Sequence, residues 1–216
     1  MTIKAFVAGA TGYTGQEIVK ELLRNEIHTI AHIRPDSAQL TKWQTQFKEL
    51  GAEVNAAKWD PKAIATSINN IKPDLVFALL GTTKKRARNN KHLGSPKAPE
   101  TYDKIDYGYT AMLIDATSQF TPQARFIYLS ALGVSKNAPG AYMQARWKTE
   151  QYLIESRLPY TIVQPCFITG PDRAESRPLE RFGAILSDSV LSAASKLGGK
   201  KLSAKYTSIN ARDLAR

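Results

Sequence analysis

Gly9, Gly12 and Gly15 stand three residues apart in the stretch GATGYTG. Glycine has no Cβ, so a turn built from it can bring bare backbone N–H groups up to an anion. If a helix starts there, the positive end of its dipole adds to the attraction. The chemistry these residues suit is diphosphate binding by main chain. One glycine makes the tight turn, one allows close approach, and one lets the helix lie against the sheet. The spacing is GxxGxxG rather than GxGxxG, so the pattern draws its specificity from where it stands in the chain. A second constellation is Ser130, Tyr142 and Arg146. Tyr142 and Arg146 are four residues apart and share a helix face. A tyrosine beside a fixed cation can act as acid or base, and a serine at a neighbouring strand end can bond a reacting carbonyl oxygen.

The elements that must position these residues follow from the apolar pattern. Ile3–Val7 is a strand-like run leading into the glycines, and Ile18, Val19, Leu22 and Leu23 after them recur at helical spacing. His28–Ile33 reads as a second strand and Ser37–Leu50 as a helix that buries Leu40, Trp43, Phe47 and Leu50. Glu53–Ala57 reads as a strand. Asp60-Pro61 is a start signal for a helix to about Asn70. Asp74–Leu80 is an apolar strand, 81–100 a polar basic loop and Tyr102–Phe120 one long helix. Arg125–Ala131, Ala141–Ser156 and Tyr160–Gln164 continue the alternation. A polar loop covers 169–178, a helix follows to Leu197, and Lys205–Ile209 is a short strand. Strands apolar on both faces, alternating with helices, predict an α/β fold with a doubly wound parallel sheet. One domain over 1–216 is expected, with a small ligand-side segment from about 165 onward.

Ligands of such sheets lie beyond the carboxyl ends of the strands. Arg34 ends the second strand, where a free ribose 2′-hydroxyl would be met by an acid. A guanidinium suits a 2′-phosphate, which favours NADP over NAD, although Asp36 stands close by. Gly81, Thr82 and Thr83 follow the fourth strand, and Ser130 the fifth.

Composition narrows the function classes. The net charge is +11, which invites a nucleic-acid reading. The charges are dispersed, and the dense run at Lys84, Lys85, Arg86, Arg88 and Lys91 has no interleaved aromatics, so nucleic acid is ranked last as a partner. No apolar run is long enough to span a bilayer. The single cysteine, Cys166, excludes an intramolecular disulfide. With no leader pattern at the start, a cytoplasmic location is expected. A monomer or homodimer is expected.

GATGYTG at 9–15, HIRPDS at 32–37, LLGTT at 79–83, YLSALG at 128–133, YMQARWKTE at 142–150 and GPDRAESRP at 170–178 together resemble the atypical short-chain dehydrogenases/reductases. The subgroup they look most like is the NAD(P)H-binding, NmrA-like and Tat-interacting oxidoreductase-like proteins. The resemblance implies a Rossmann fold with Gly9, Thr11, Gly12, Tyr13, Thr14 and Gly15 at the pyrophosphate. Arg34 would meet the 2′-phosphate, Leu80, Gly81 and Thr82 would border the adenosine, and Pro165 would lie near the nicotinamide. It places Ser130 and Tyr142 as the catalytic serine and tyrosine. The family lysine falls on Arg146, which keeps the charge in a wider, planar group, and Asp106 falls near a family asparagine. Two functions follow as alternatives. One is NADP(H)-dependent reduction of a small carbonyl or quinone-like substrate. The other is a non-catalytic NADP(H) sensor that binds a protein partner.

Overall fold

A computed structural model describes residues 2–81, 101–166, 168–169 and 208–216. The central sheet contains β1 (Lys4–Ala8), β2 (His28–His32), β3 (Glu53–Asn55), β4 (Leu75–Ala78), β5 (Arg125–Leu129) and β6 (Tyr160–Val163). Its spatial order is β3-β2-β1-β4-β5-β6, and every pairing is parallel. The order reverses between β1 and β4, and a crevice opens there beyond the strand ends. The doubly wound expectation therefore holds.

Alternate residues of β1 go to opposite layers. Phe6 and Ala8 join Ile30, Ile64, Ile68, Leu113, Phe126 and Tyr128 on one face. Ala5 and Val7 join Ile18, Val19, Ala31, Ile33 and Phe47 on the other. Period-two strands with both faces covered produce this division. The layers are helices α1 (Tyr13–Arg24), α2 (Leu40–Glu49), α3 (Pro61–Ile71), α4 (Tyr109–Phe120) and α5 (Ala141–Glu155). α3 starts as its sequence requires: Asp60 is the N-cap, its carboxylate accepts from Ala63 N at 2.9 Å, and Pro61 follows.

Some boundaries differ from the sequence expectation. α2 begins at Leu40 rather than Ser37, because Ser37 forms a turn: Leu40 N donates to Ser37 O at 3.1 Å and Gln39 N to Ser37 Oγ at 3.3 Å. Phe47 is fully buried on this helix, but Leu50 lies past its end and is 41% exposed. The single helix expected over 102–120 is two elements. A π-helical turn, Asp103–Gly108, runs into α4. Gly108 removes a Cβ from that turn, and a polar cluster described below holds its inner face. β7 (Ile168–Thr169) pairs with β8 (Ile209–Asn210), and α6 (Ala211–Ala215) packs on α1 through Arg212 Nε, 3.6 Å from Glu17 Oε2. The expected loops at 82–100 and 170–178, and the helix to Leu197, lie outside the described residues.

Candidate functional site

The glycine turn sits between the end of β1 and the start of α1. Gly9 has φ +87°, the left-handed region that glycine enters without strain. A Cβ there would lie 2.7 Å from Leu79 O, and one on Gly15 would lie 2.2 Å from Gly9 O. Gly12 N donates to Gly9 O at 2.9 Å and closes the turn. Gly12 is the N-cap of α1, and no side chain caps the helix. No acidic residue stands in the first turn. Gln16 Nε2 pins Thr11 through its carbonyl at 3.2 Å, Thr14 is buried, and Tyr13 Oη donates to Thr169 O at 3.4 Å. A cradle that side chains would fill, facing an uncapped helix N-terminus, fits a diphosphate.

Beside the turn lies a cavity of about 530 Å³. Gly9, Thr11 and Gly12 form one side, Leu79, Leu80 and Gly81 another, and Arg34, Asp36 and Ser37 the rim beyond β2. Arg34 Nε is 3.9 Å from Asp36 Oδ1, and the Arg34 side chain is partly exposed. The family resemblance's Leu80, Gly81 and Arg34 are thus brought to one cavity with the glycines. Thr82 lies outside the described residues.

An aromatic wall, unanticipated from the sequence, closes the cavity floor. Trp59 stacks on Tyr109 at 5.0 Å between ring centres, and His32 meets the Trp59 edge at 4.7 Å. His32 Nε2 bonds to Ala57 O at 2.9 Å. Burial holds the imidazole down, to a pKa of about 4, and the nearby Arg34 charge acts in the same direction. The unfolded chain would take up this proton near pH 6.5, the folded one only near 4. Stability from neutral His32 is therefore fully present above about pH 6.5 and declines as pH falls toward 4. Denaturant midpoints measured from pH 7 to 4 are expected to fall, and His32→Phe is expected to flatten that slope.

Beyond β5 and on α5 stands the second constellation, with the polar groups of Ser130 and Arg146 turned inward; none of Ser130, Tyr142 and Arg146 is among the residues lining the cavity. The Arg146 guanidinium reaches across the sheet ends. Nη1 donates to Tyr128 Oη at 3.3 Å and to Leu129 O, and Nη2 donates to Leu80 O at 3.1 Å. Nη2 also lies 3.0 Å from Asp106 Oδ1 in an ion pair that is almost wholly buried. Burial by itself would lower the Arg146 pKa, but Tyr128, Tyr142 and Asp106 outweigh it and hold the cation. Burial also pushes the Tyr128 phenol up, against Arg146. Arg146 thus ties the ends of β4 and β5 and the π-helical turn together. Gly81 lies close beside it, and a Cβ there would stand 3.0 Å from Nη2.

Tyr142 is half-buried in the first turn of α5. Its ring centre is 5.2 Å from the Arg146 guanidinium carbon and 5.4 Å from the Tyr102 ring. Ser130 is 4% exposed, and its hydroxyl donates to Glu150 Oε1. The same oxygen accepts from Gln164 Nε2 at 2.9 Å. Pro165 follows β6, with its carbonyl taking Leu132 N at 3.0 Å, and Cys166 is half-buried next to it. Glu150 is the polar residue of this cluster that sequence reasoning passed over, and Asp106 was met there only as the residue near a family asparagine. Glu150 could have been found, because it lies four residues beyond Arg146 on the same helix face. The Asp106 pairing has no local signal. Among the described residues no group of His, Cys, Asp and Glu could hold a metal ion, and no helix is long and apolar enough to cross a membrane.

A family model described as NAD(P)H-binding matches residues 9–194. The mitochondrial protein FMP52 of Lodderomyces elongisporus is 27% identical over 186 residues, covering 82% of this chain and 71% of that one. The chloroplastic protein TIC 62 of Pisum sativum is 29% identical over 174 residues, 74% of this chain and 32% of that one. The fold matches the Bordetella bronchiseptica enzyme WbmH in complex with NAD+ at a TM-score of 0.65 and 16% identity, over 100% of this chain and 70% of that one. These relatives overturn the cytoplasmic expectation, since their names place them in mitochondria and chloroplasts. The physical reason is that a lone cysteine argues only against an oxidising compartment, and organelle interiors that keep thiols reduced satisfy it equally. With its glycine turn at the β1/β4 reversal and the match spanning most of its length, the chain belongs to the NAD(P)H-binding family, an atypical short-chain dehydrogenase/reductase-like group of Rossmann-fold proteins.

Proposed function

We propose that the protein is an NADP(H)-dependent reductase of the NmrA-like kind, acting on a small carbonyl or quinone-like group. The observation that carries this reading is the uncapped glycine turn opening on a cavity whose rim holds Arg34. Main-chain N–H groups of the turn would hold the diphosphate, and Arg34 the 2′-phosphate. Leu80 and Gly81 would border the adenosine. Pro165 and the segment from there to 216 would complete the ligand side. Bound there, the nicotinamide supplies the hydride. Tyr142 would give a proton to the substrate oxygen, its ring steadied by the Arg146 cation. Ser130 is buried at the end of β5 and is not among the residues that line the cavity.

Two results test the parts separately. Arg34→Ala is expected to weaken NADPH binding about tenfold or more while leaving NADH within about twofold, as calorimetry would show, because one charge-assisted contact is removed from one nucleotide only. Equal losses for both nucleotides would remove Arg34 from cofactor choice. Tyr142→Phe is expected to lower NADPH oxidation at least about 100-fold on any carbonyl that the wild type reduces, with NADPH affinity kept. Unchanged turnover would take Tyr142 out of the reaction.

The second reading, an NADP(H) sensor that binds a protein partner, is favoured by one observation. The Ser130 hydroxyl and the Arg146 terminal nitrogens are bonded within the protein. NADPH binding without turnover across a panel of aldehydes, ketones and quinones would support the sensor. Rapid turnover would exclude it.

A further inference from the structure

Two walls of the cavity come from distant parts of the chain. Leu79, Leu80 and Gly81 follow β4, while Ile105 lies in the π-helical turn and Tyr109 opens α4. One atom behind these walls reaches both. Arg146 Nη2 donates to Leu80 O at 3.1 Å and lies 3.0 Å from Oδ1 of Asp106, the residue next to Ile105. Nη1 donates to Leu129 O and so anchors the guanidinium to the end of β5. The group is planar and its donors stand in a fixed fork, so the two partners of Nη2 are held at a set separation. The junction is tightly packed. Arg146 and Asp106 are both buried, and a Cβ on Gly81 would meet Nη2 at 3.0 Å and Asp106 Oδ1 at 3.6 Å.

We propose that Arg146 is a positioning residue for the adenosine half of the nucleotide, which sets from behind the spacing between the β4 wall and the π-helical wall of the cavity. The proposal rests on the reading above, in which Leu80 and Gly81 border the adenosine. Arg146 is not among the residues that line the cavity, so it acts through Leu80 O and through the turn that carries Ile105. A flat base held between the two walls feels their spacing. A gap of about 0.5–1 Å forfeits roughly a quarter to a half of the dispersion attraction of each atom pair across it.

The test is calorimetric titration of the full chain with adenosine 2′,5′-bisphosphate, which carries the adenosine half alone, and with NADPH. Arg146→Met with Asp106→Leu replaces the ion pair by apolar side chains, and its unfolding midpoint is expected to stay close to that of the wild type. Both ligands are expected to bind this variant about tenfold more weakly, because contacts to the base loosen while the fold persists. Arg146→Lys keeps a charge beside Asp106 but cannot hold Leu80 O as well, so the same loss is expected. It carries the test if the double variant does not fold. Thr149→Val is the comparison. It removes the bond from Thr149 Oγ1 to Asp106 O at 3.3 Å and leaves Nη2 in place, so it costs stability with affinity kept. A merely structural Arg146 would change the unfolding midpoint with both affinities kept, and that result overturns the proposal. So does a variant that loses NADPH but retains the bisphosphate, since Arg146 would then serve the nicotinamide half. Wild-type protein that binds neither ligand overturns the nucleotide reading and this role with it. Wild-type binding that survives in Arg146→Lys overturns this role alone, so the two failures are distinguishable.

Discussion

Replacing Gly15 by alanine is expected to lower the melting temperature by about 6–12 °C and to raise the Kd for NADPH at least about tenfold. The added methyl would stand 2.2 Å from Gly9 O, 2.8 Å from Ala10 Cα and 2.9 Å from Gly9 C. All three are backbone atoms of the turn itself, so no flexible side chain can move aside. The helix must shift away from the sheet or the turn must open. Overpacking of this kind costs about 3 kcal/mol, and each kcal/mol moves the transition of a chain this long by roughly 2–4 °C. Either shift moves the main-chain N–H groups that face the anion. Gly51→Ala is the comparison, since Gly51 also has a positive φ, +94°, but nothing lies within 4 Å of its added Cβ. Its substitution strains the backbone without touching nucleotide affinity. Scanning calorimetry and titration with NADPH measure both quantities. A Gly15→Ala protein with wild-type affinity would contradict the cradle.

Replacing Arg146 by methionine is expected to destabilise the fold by about 3–5 kcal/mol, because it leaves a fully buried carboxylate at Asp106 with its cation gone. It also withdraws the donor from Leu80 O at the end of β4 and from Leu129 O at the end of β5. The double variant Arg146→Met with Asp106→Leu is expected to recover most of the loss, since a buried pair replaced by apolar side chains is close to neutral. Arg146→Lys is not a rescue. A compact ammonium cannot span acceptors on β4, β5 and the π-helical turn together. Denaturant unfolding of the three variants decides the matter. Equal stability of the single and double variants would show that Asp106 does not depend on Arg146.

The features legible in the sequence were those written locally. Ile3–Val7 followed by glycines announced β1 and its turn within a residue, Asp60-Pro61 announced the start of α3, and the apolar runs gave a sheet whose order has the expected reversal beside the glycine turn. Tyr142 and Arg146 were correctly placed on one helix face. What that face touches was not legible. Asp106 reaches Arg146 only because the π-helical turn packs on α5, and Leu80 and Leu129 become its acceptors only once β4 and β5 are neighbours. These are tertiary contacts with no trace in spacing. The same holds for Trp59 and Tyr109, which meet His32 at the cavity wall only once the strands and helices are packed. The start of α2 was missed because Ser37 caps a turn rather than the helix, a choice between two hydrogen-bonding patterns that the same residue can make.

The central claim is that the first crossover binds the diphosphate of a nicotinamide nucleotide through main chain, with Arg34 selecting the phosphorylated form. Isothermal titration of the purified chain with NADPH and with NADH tests it most directly. Saturable binding of one NADPH per chain is predicted, at least about tenfold tighter than NADH and weakened toward the NADH value in Arg34→Ala. No heat of binding with either nucleotide would contradict the account.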